Sequence, residues 1–168
     1  MKRVCLVILA ALSIMTMCTS VVMAAETAIE EDEEENDYAR IIRLASDEEI
    51  DELCRVMYLE CRGESFEGKC AVAETILNRV LSESFPDSIH GVLSERGQFS
   101  TWKRISTAYD VSEDDISVQQ GEICRAIMYV YDNGRTVLPS SKYVYFDTRG
   151  INGREHLKVG NQYFGREK

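Results

Sequence analysis

The sequence predicts an α+β domain, a helical body carrying a small antiparallel sheet near the C-terminus. Two observations carry this expectation. Apolar residues recur at intervals of three and four over much of 46–131. Beyond Pro139 the composition turns aromatic and β-branched in two short stretches, which is strand chemistry. The chain has 168 residues, 45% of them hydrophobic, enough for one domain with a substantial core. A second domain of ordinary size is not expected.

Residues 1–25 contain no acidic residue. Lys2 and Arg3 precede an apolar run that starts at Val4 and ends in Val22-Met23-Ala24-Ala25, the layout of a secretory signal peptide. Cleavage is expected after Ala24 or Ala25, which makes the protein secreted and extracytoplasmic. The alternative is an uncleaved Val4–Ala25 segment, the one route by which this chain would touch a membrane. From Glu26 to Asp37 there are eight acidic residues and no basic one. So charged a stretch cannot offset its ordering entropy, and 26–45 is expected to be a disordered acidic linker. Order is then expected from Ser46, with 46–168 as the folded domain.

Ser46-Asp47-Glu48-Glu49 has the form of a capping box ahead of a periodic run in which Ile50, Leu53, Val56 and Met57 share one face. Gly63 ends this helix. Ser65 opens a second, with Phe66, Cys70, Ala73, Leu77 and Val80 at helical spacing, broken by Phe85-Pro86-Asp87. A short helical turn at Ser88–Ser94 and a loop through Gly97–Trp102 follow. A third long helix is expected over Ile116–Tyr131, stopped by Asn133-Gly134. Lys142–Asp147 reads as a strand, Arg149–Arg154 as a turn, and Leu157–Phe164 as a returning strand.

Charge and composition remove several function classes. With 19 Lys+Arg against 29 Asp+Glu, the net charge is −10, so no basic face for nucleic acid is expected. Two histidines, His90 and His156, without HExxH or paired CxxC spacing call for no metal and no cofactor. The chain is expected to act as a monomer. Beyond residue 25 four cysteines remain, Cys54, Cys61, Cys70 and Cys124. Cys54 and Cys61 cannot bridge along one helix, since seven residues rise about 10 Å. A Cys70–Cys124 bridge, a Cys61–Cys124 bridge and a buried free Cys70 all stay open.

On the helical wheel Glu60 falls between Val56 and Met57, in line with Leu53, at the last turn of the first long helix. A solvated glutamate does not belong on an apolar stripe. A carboxyl group lodged against apolar side chains holds its proton more readily than one in water, which suits it to protonate a leaving oxygen.

The residues around Glu60 carry a resemblance. Glu60-Cys61-Arg62-Gly63-Glu64 runs on to Gly68, and Ala71-Val72-Ala73 is followed by Ile76-Leu77-Asn78-Arg79-Val80. Then come Phe85-Pro86-Asp87-Ser88-Ile89, Gly97-Gln98-Phe99-Ser100 and, late in the chain, Gly160-Asn161-Gln162-Tyr163-Phe164. This succession resembles the cell-wall hydrolase family typified by the spore-cortex-lytic enzyme SleB, over about Glu49 to Arg166. The resemblance implies a lysozyme-like or transglycosylase-like fold acting on peptidoglycan glycan strands, with Glu60 as the catalytic acid. In one departure, Gln162 stands where the family often has a histidine.

The chemistry implied is a lytic transglycosylase, in which Glu60 acts first as acid and then as base and leaves a 1,6-anhydromuramyl end. A glycan hydrolase is the alternative and needs a second carboxylate, for which Glu64, Asp110 and Asp147 are candidates. A wall-peptide amidase or cysteine peptidase, and a non-catalytic wall-binding module, are the remaining readings. Around the acid, Gln98 and Ser100 are candidate binders of N-acetyl groups. Tyr143 and Tyr145, on one face of the predicted strand, are candidate cleft walls. Arg62 and Glu64 are candidate supports for Glu60, with Arg62 stabilising the turn and Glu64 tuning the acid or charging the next helix N-terminus.

Overall fold

The structure, a computed structural model, describes residues 36–108 and 113–168, the side chains of 113–117 excepted. The expected signal segment 1–25, the acidic residues up to Glu35 and Asp110 lie outside the described residues. The helices are α1 (Asp37–Leu44), α2 (Asp47–Cys61), α3 (Phe66–Leu81), α4 (Ile89–Ser94) and α5 (Glu113–Asn133), with a 3₁₀ helix at Ser100–Thr107 between α4 and α5. The strands β1 (Tyr143–Asp147), β2 (His156–Val159) and β3 (Gln162–Arg166) close the chain. The architecture is the expected α+β. No described helix is long and apolar enough to cross a membrane.

Serines set the helix starts. Ser46 and Glu49 form a reciprocal capping box on α2, while Ser65 and Ser88 accept from the main-chain N–H of Gly68 and Gly91 at the starts of α3 and α4. Glu49 does a second job, accepting from the His90 main-chain N–H at 3.1 Å and so tying α4 to α2. Gly134, at φ +68°, stops α5. That helix starts three residues before the expected Ile116.

The expected order boundary at Ser46 is corrected. Residues 37–44 of the supposed linker form α1, capped by the Asn36 side chain, which accepts from Ala39 N at 2.9 Å and donates to the Tyr131 carbonyl at 2.9 Å. Tyr38 is buried and its hydroxyl donates to Asn78. The acidic run stops at Asp37, and the apolar residues after it pack as any amphipathic helix does.

The expected returning strand over Leu157–Phe164 is corrected to a hairpin. The sheet order is β1-β3-β2, all antiparallel, with Phe146 paired to Phe164 and Leu157 to the same Phe164 from the other side. Gly160 and Asn161 form the turn, with Gly160 at φ +60°. A Cβ at Gly160 would lie 2.5 Å from Glu64 Oε2, so a side chain there would displace the Glu64 carboxylate, which lies just ahead of α3.

The core lies around α3, which is buried along most of its length. Leu53, Val56 and Met57 of α2, Ile123 and Val130 of α5, and Phe164 of β3 pack with Ile76 and Leu77. Two polar residues of α3 moor the sheet: Asn78 donates to the Tyr143 carbonyl at 3.0 Å and Arg79 Nε to the Val144 carbonyl at 2.7 Å. A third, the fully buried Glu74, gathers the chain before the sheet. Its carboxylate accepts from the main-chain N–H groups of Thr136, Val137 and Leu138 at 2.7, 2.9 and 2.7 Å.

All four described cysteines are free thiols. Neither bridge left open above is formed; the neighbour of Cys124 is Cys54, across α2 and α5.

Candidate active site

A cleft of about 420 Å³ opens where the end of α2, the loop into the 3₁₀ helix, α3 and the far end of β1 converge. Glu60, Arg79, Gln98, Ser100, Phe146, Asp147, Arg149 and Gln162 line it. The α2 stripe of Leu53, Val56 and Met57 is fully buried, and Glu60 continues it one turn later, half-buried in the cleft wall. The Glu60 carboxylate oxygen Oε1 accepts a hydrogen bond from the Thr101 hydroxyl at 2.5 Å. Thr101 is itself buried, so this bond is short and sheltered from water. Thr101 directly follows Gly97-Gln98-Phe99-Ser100. Reading one residue past that motif would have found it.

Arg79 forms the cleft floor. Its guanidinium lies 5.3, 4.9 and 5.8 Å from the ring centres of Phe85, Phe99 and Phe146, a cation stacked among three aromatic faces. Burial pulls its pKa down to about 10, a pull opposed by Glu95, Tyr145 and Glu60, so it stays charged at neutral pH. A charged residue inside an apolar helix was the available signal for Arg79. Sequence reading alone expects Arg79, like Asn78 near the end of the same helix, to be structural.

Gln162 opens β3 with its side chain shut off from solvent and its Nε2 donating to the Glu60 main-chain carbonyl at 3.4 Å. The position that departs from the family pattern therefore touches the residue that carries the acid. Asp147 ends β1 within the cleft, and hydrogen bonds from the side chain and main chain of Arg149 hold its carboxyl below the usual aspartate range. Of the candidate second carboxylates, Asp147 shares the cleft with Glu60.

Gln98 and Ser100 stand in the cleft. Tyr143 and Tyr145 are not among the residues that line it. Tyr143 is buried and donates its hydroxyl to Glu155 at 3.2 Å. Tyr145 lies under the Arg154 guanidinium, 4.1 Å from its ring centre, and edge-on to Phe85. Register shifts between Tyr143 and Tyr145 break the simple alternation of the strand. Phe146 and Asp147 reach the cleft instead.

A second hollow flanks Glu60 on its other side, lined by Leu59, Arg62, Gly63, Glu64 and Asn161. Arg62 stacks on Tyr58 at 5.2 Å and so braces the end of α2. Glu64 reaches the hairpin: its Oε2 accepts from Asn161 N at 3.0 Å and from Asn161 Nδ2 at 3.4 Å. Through that clamp Glu64 positions the hairpin whose next residue is Gln162.

The thiols are poorly suited to nucleophilic work. Burial pushes Cys61 well above the usual thiol range, Cys70 to about 11 and Cys54 to about 12. Cys61 donates to the Met57 carbonyl, and His90 bonds Glu52 rather than a cysteine.

The model of the Cell Wall Hydrolase family matches residues 63–164. The spore cortex-lytic enzyme of Bacillus subtilis is 34% identical over 126 residues, covering 71% of this chain and 38% of that protein. The spore cortex-lytic enzyme of Halalkalibacterium halodurans is 46% identical over 50 residues, covering 30% of this chain and 15% of that protein. The chain thus spans well under half the length of these curated relatives. Among solved structures, the catalytic domain of the germination-specific lytic transglycosylase SleB from Bacillus anthracis is 27% identical, with a TM-score of 0.54. The match covers 73% of this chain and 98% of that one. The SleB catalytic domain of Bacillus cereus gives a TM-score of 0.53 at 27% identity, covering 72% of this chain and 91% of that one.

Proposed function

Because this chain belongs to the cell wall hydrolase family, we propose that it cuts the glycan strand of peptidoglycan between N-acetylmuramic acid and N-acetylglucosamine. The observation that carries the reading is the half-buried Glu60 carboxyl, oriented by Thr101 in a cleft that Gln98 and Ser100 also line. The Thr101 hydroxyl engages Oε1, which leaves Oε2 to carry the catalytic proton. Glu60 gives that proton to the glycosidic oxygen as the bond from C1 breaks. Now a carboxylate, it takes the proton of the muramyl C6 hydroxyl, whose oxygen closes on C1 to form the 1,6-anhydro ring. One carboxyl group performs both transfers. The strand runs across Glu60 from the cleft into the hollow of Arg62 and Glu64.

Such an enzyme works outside the cytoplasm, which agrees with residues 1–25 acting as an export signal cleaved after Ala24 or Ala25. Peptidoglycan digested with the purified chain should release fragments with anhydromuramyl ends, seen by mass spectrometry. Glu60→Gln should slow release by about 10²–10⁴-fold. Intact peptidoglycan after digestion, or an active Glu60→Gln chain, would overturn the proposal. A second reading rests on Asp147, which is held ionised in the same cleft. Were Asp147 to activate water, the fragments would carry reducing muramyl ends and Asp147→Asn would be as inactive as Glu60→Gln.

A further inference from the structure

Cys54 of α2 and Cys124 of α5 stand outside the cleft at Glu60, and their thiols are hydrogen-bonded to each other. Each follows a residue with no exposed surface, Leu53 and Ile123, so the two sulfurs meet at the rim of the packed contact between α2 and α5. Cys124 is exposed and lines a surface hollow of about 400 Å³, beside Gly121, which has no side chain to cover it. Cys61 and Cys70 are the contrast. Each is 1% exposed, and the Cys61 thiol donates to the Met57 carbonyl. Among the described thiols, Cys54 and Cys124 are therefore the touching pair that a reagent can reach.

No group of three His, Cys, Asp or Glu among the described residues is placed to hold a metal, so the pair is not half of a chelate. Thiols already in contact leave little distance for side-chain rotation to close. Their oxidation needs an electron acceptor, and a disulfide, small or protein-borne, is the class that supplies it. Burial pushes Cys54 up to about 12, so the first attack falls to the exposed Cys124. Its thiolate displaces one thiol from the oxidant and leaves a mixed disulfide on Cys124. Cys54, deprotonated by water, then attacks the Cys124 sulfur and expels the second thiol. One disulfide and two protein thiols become one protein disulfide and two free thiols. Two electrons pass to the oxidant, and both protons end on the released thiols.

We propose that Cys54 and Cys124 are a redox-reactive pair that oxidises to a disulfide tying α2 to α5, the form the protein takes outside the cytoplasm. The setting rests on the extracytoplasmic reading above, because disulfides persist in oxidising compartments; the pairing rests on the contact between the thiols. The bridge closes a long stretch of chain and fastens α2, the helix that carries Glu60 about two turns further on, to the longest helix of the domain.

The test treats the purified, reduced full chain with oxidised glutathione, alkylates the remaining thiols and maps tryptic peptides by mass spectrometry without reduction. Arg55, Lys69 and Arg104 put Cys54, Cys61, Cys70 and Cys124 on separate peptides, so the map identifies the pair. The expected product links the peptides of Cys54 and Cys124, with Cys61 and Cys70 still free to alkylate after denaturation. The linked chain should melt about 10 °C higher than the reduced one, and Cys124→Ser should lose that gain. If Cys124→Ser does not fold, the unaltered chain with and without reductant gives the same comparison. Glutathione that stays on Cys124, linkage of any other pair, or linkage with an unchanged Tm overturns the inference. A second arm recovers the chain from the medium of a secreting host. Secreted chain with both thiols free overturns the inference alone, whereas chain retained in the cytoplasm overturns the export reading and the setting proposed for the bridge.

Discussion

Thr101 Oγ1 donates to Glu60 Oε1 at 2.5 Å, joining the first residue after the Gly97–Ser100 motif to the last turn of α2. A single hydroxyl thus decides which oxygen of the carboxyl faces the cleft. Thr101→Val keeps the shape and removes the donor. We expect kcat to fall by about 10-fold, the worth of one hydrogen bond to a charged group, with KM changed little. Steady-state release of fragments from peptidoglycan measures both; an unchanged kcat would show that the bond does not orient the acid.

The Glu74 carboxylate is fully buried and its two oxygens accept from Thr136, Val137 and Leu138. Glu74→Gln can keep the bonds at one oxygen, but it then sets an NH₂ against the N–H at the other. The loss is expected to be about 2 kcal/mol or more. It should appear as a lower urea midpoint at unchanged m-value.

Gly160 combines a φ of +60° with a close approach to Glu64. Gly160→Ala is expected to cost about 1–2 kcal/mol for the backbone conformation alone, and more for the displaced carboxylate. In Gly160→Ala with Glu64→Ala the loss should be smaller than the sum of the single losses, because the clash and the clamp are one contact. Strict additivity in denaturant unfolding would contradict this.

The His90 imidazole bonds the Glu52 carboxylate at 2.9 Å, and this hydrogen bond raises its pKa above the ordinary 6.5. A raised folded-state pKa adds stability that is fully present below the unfolded pKa and is lost as pH rises through the folded pKa. The pair should therefore help hold α4 to α2 below pH 6.5 and fade as the pH rises through the raised pKa. Glu52→Gln should return the His90 titration, followed by NMR, toward 6.5. The stability gap between variant and parent should close as pH rises.

Local chemistry made much of this protein legible in the sequence. The serine caps at 46, 65 and 88, the stop at Gly134 and the apolar stripe that exposes Glu60 as misplaced all depend on neighbours within a few residues. Gln98 and Ser100 could be placed with the acid because they lie in a motif, though their nearness to it is a fact of the fold. The charged run hid α1, since composition averaged over 26–45 concealed the amphipathic residues that follow Asp37.

What only the tertiary structure decided is which distant side chains meet at Glu60. Thr101, Arg79, Asp147 and Gln162 come from a 3₁₀ helix, α3 and two strands, and no periodicity links them. The register irregularity near Tyr143 moved the cleft wall from the tyrosines to Phe146 and Asp147. The burial of Gln162 against a carbonyl 102 positions earlier left its amide oxygen unpartnered. Sequence determines local conformation through short-range sterics and capping. The site's chemistry is set by long-range packing, which desolvates chosen polar groups and fixes where they point.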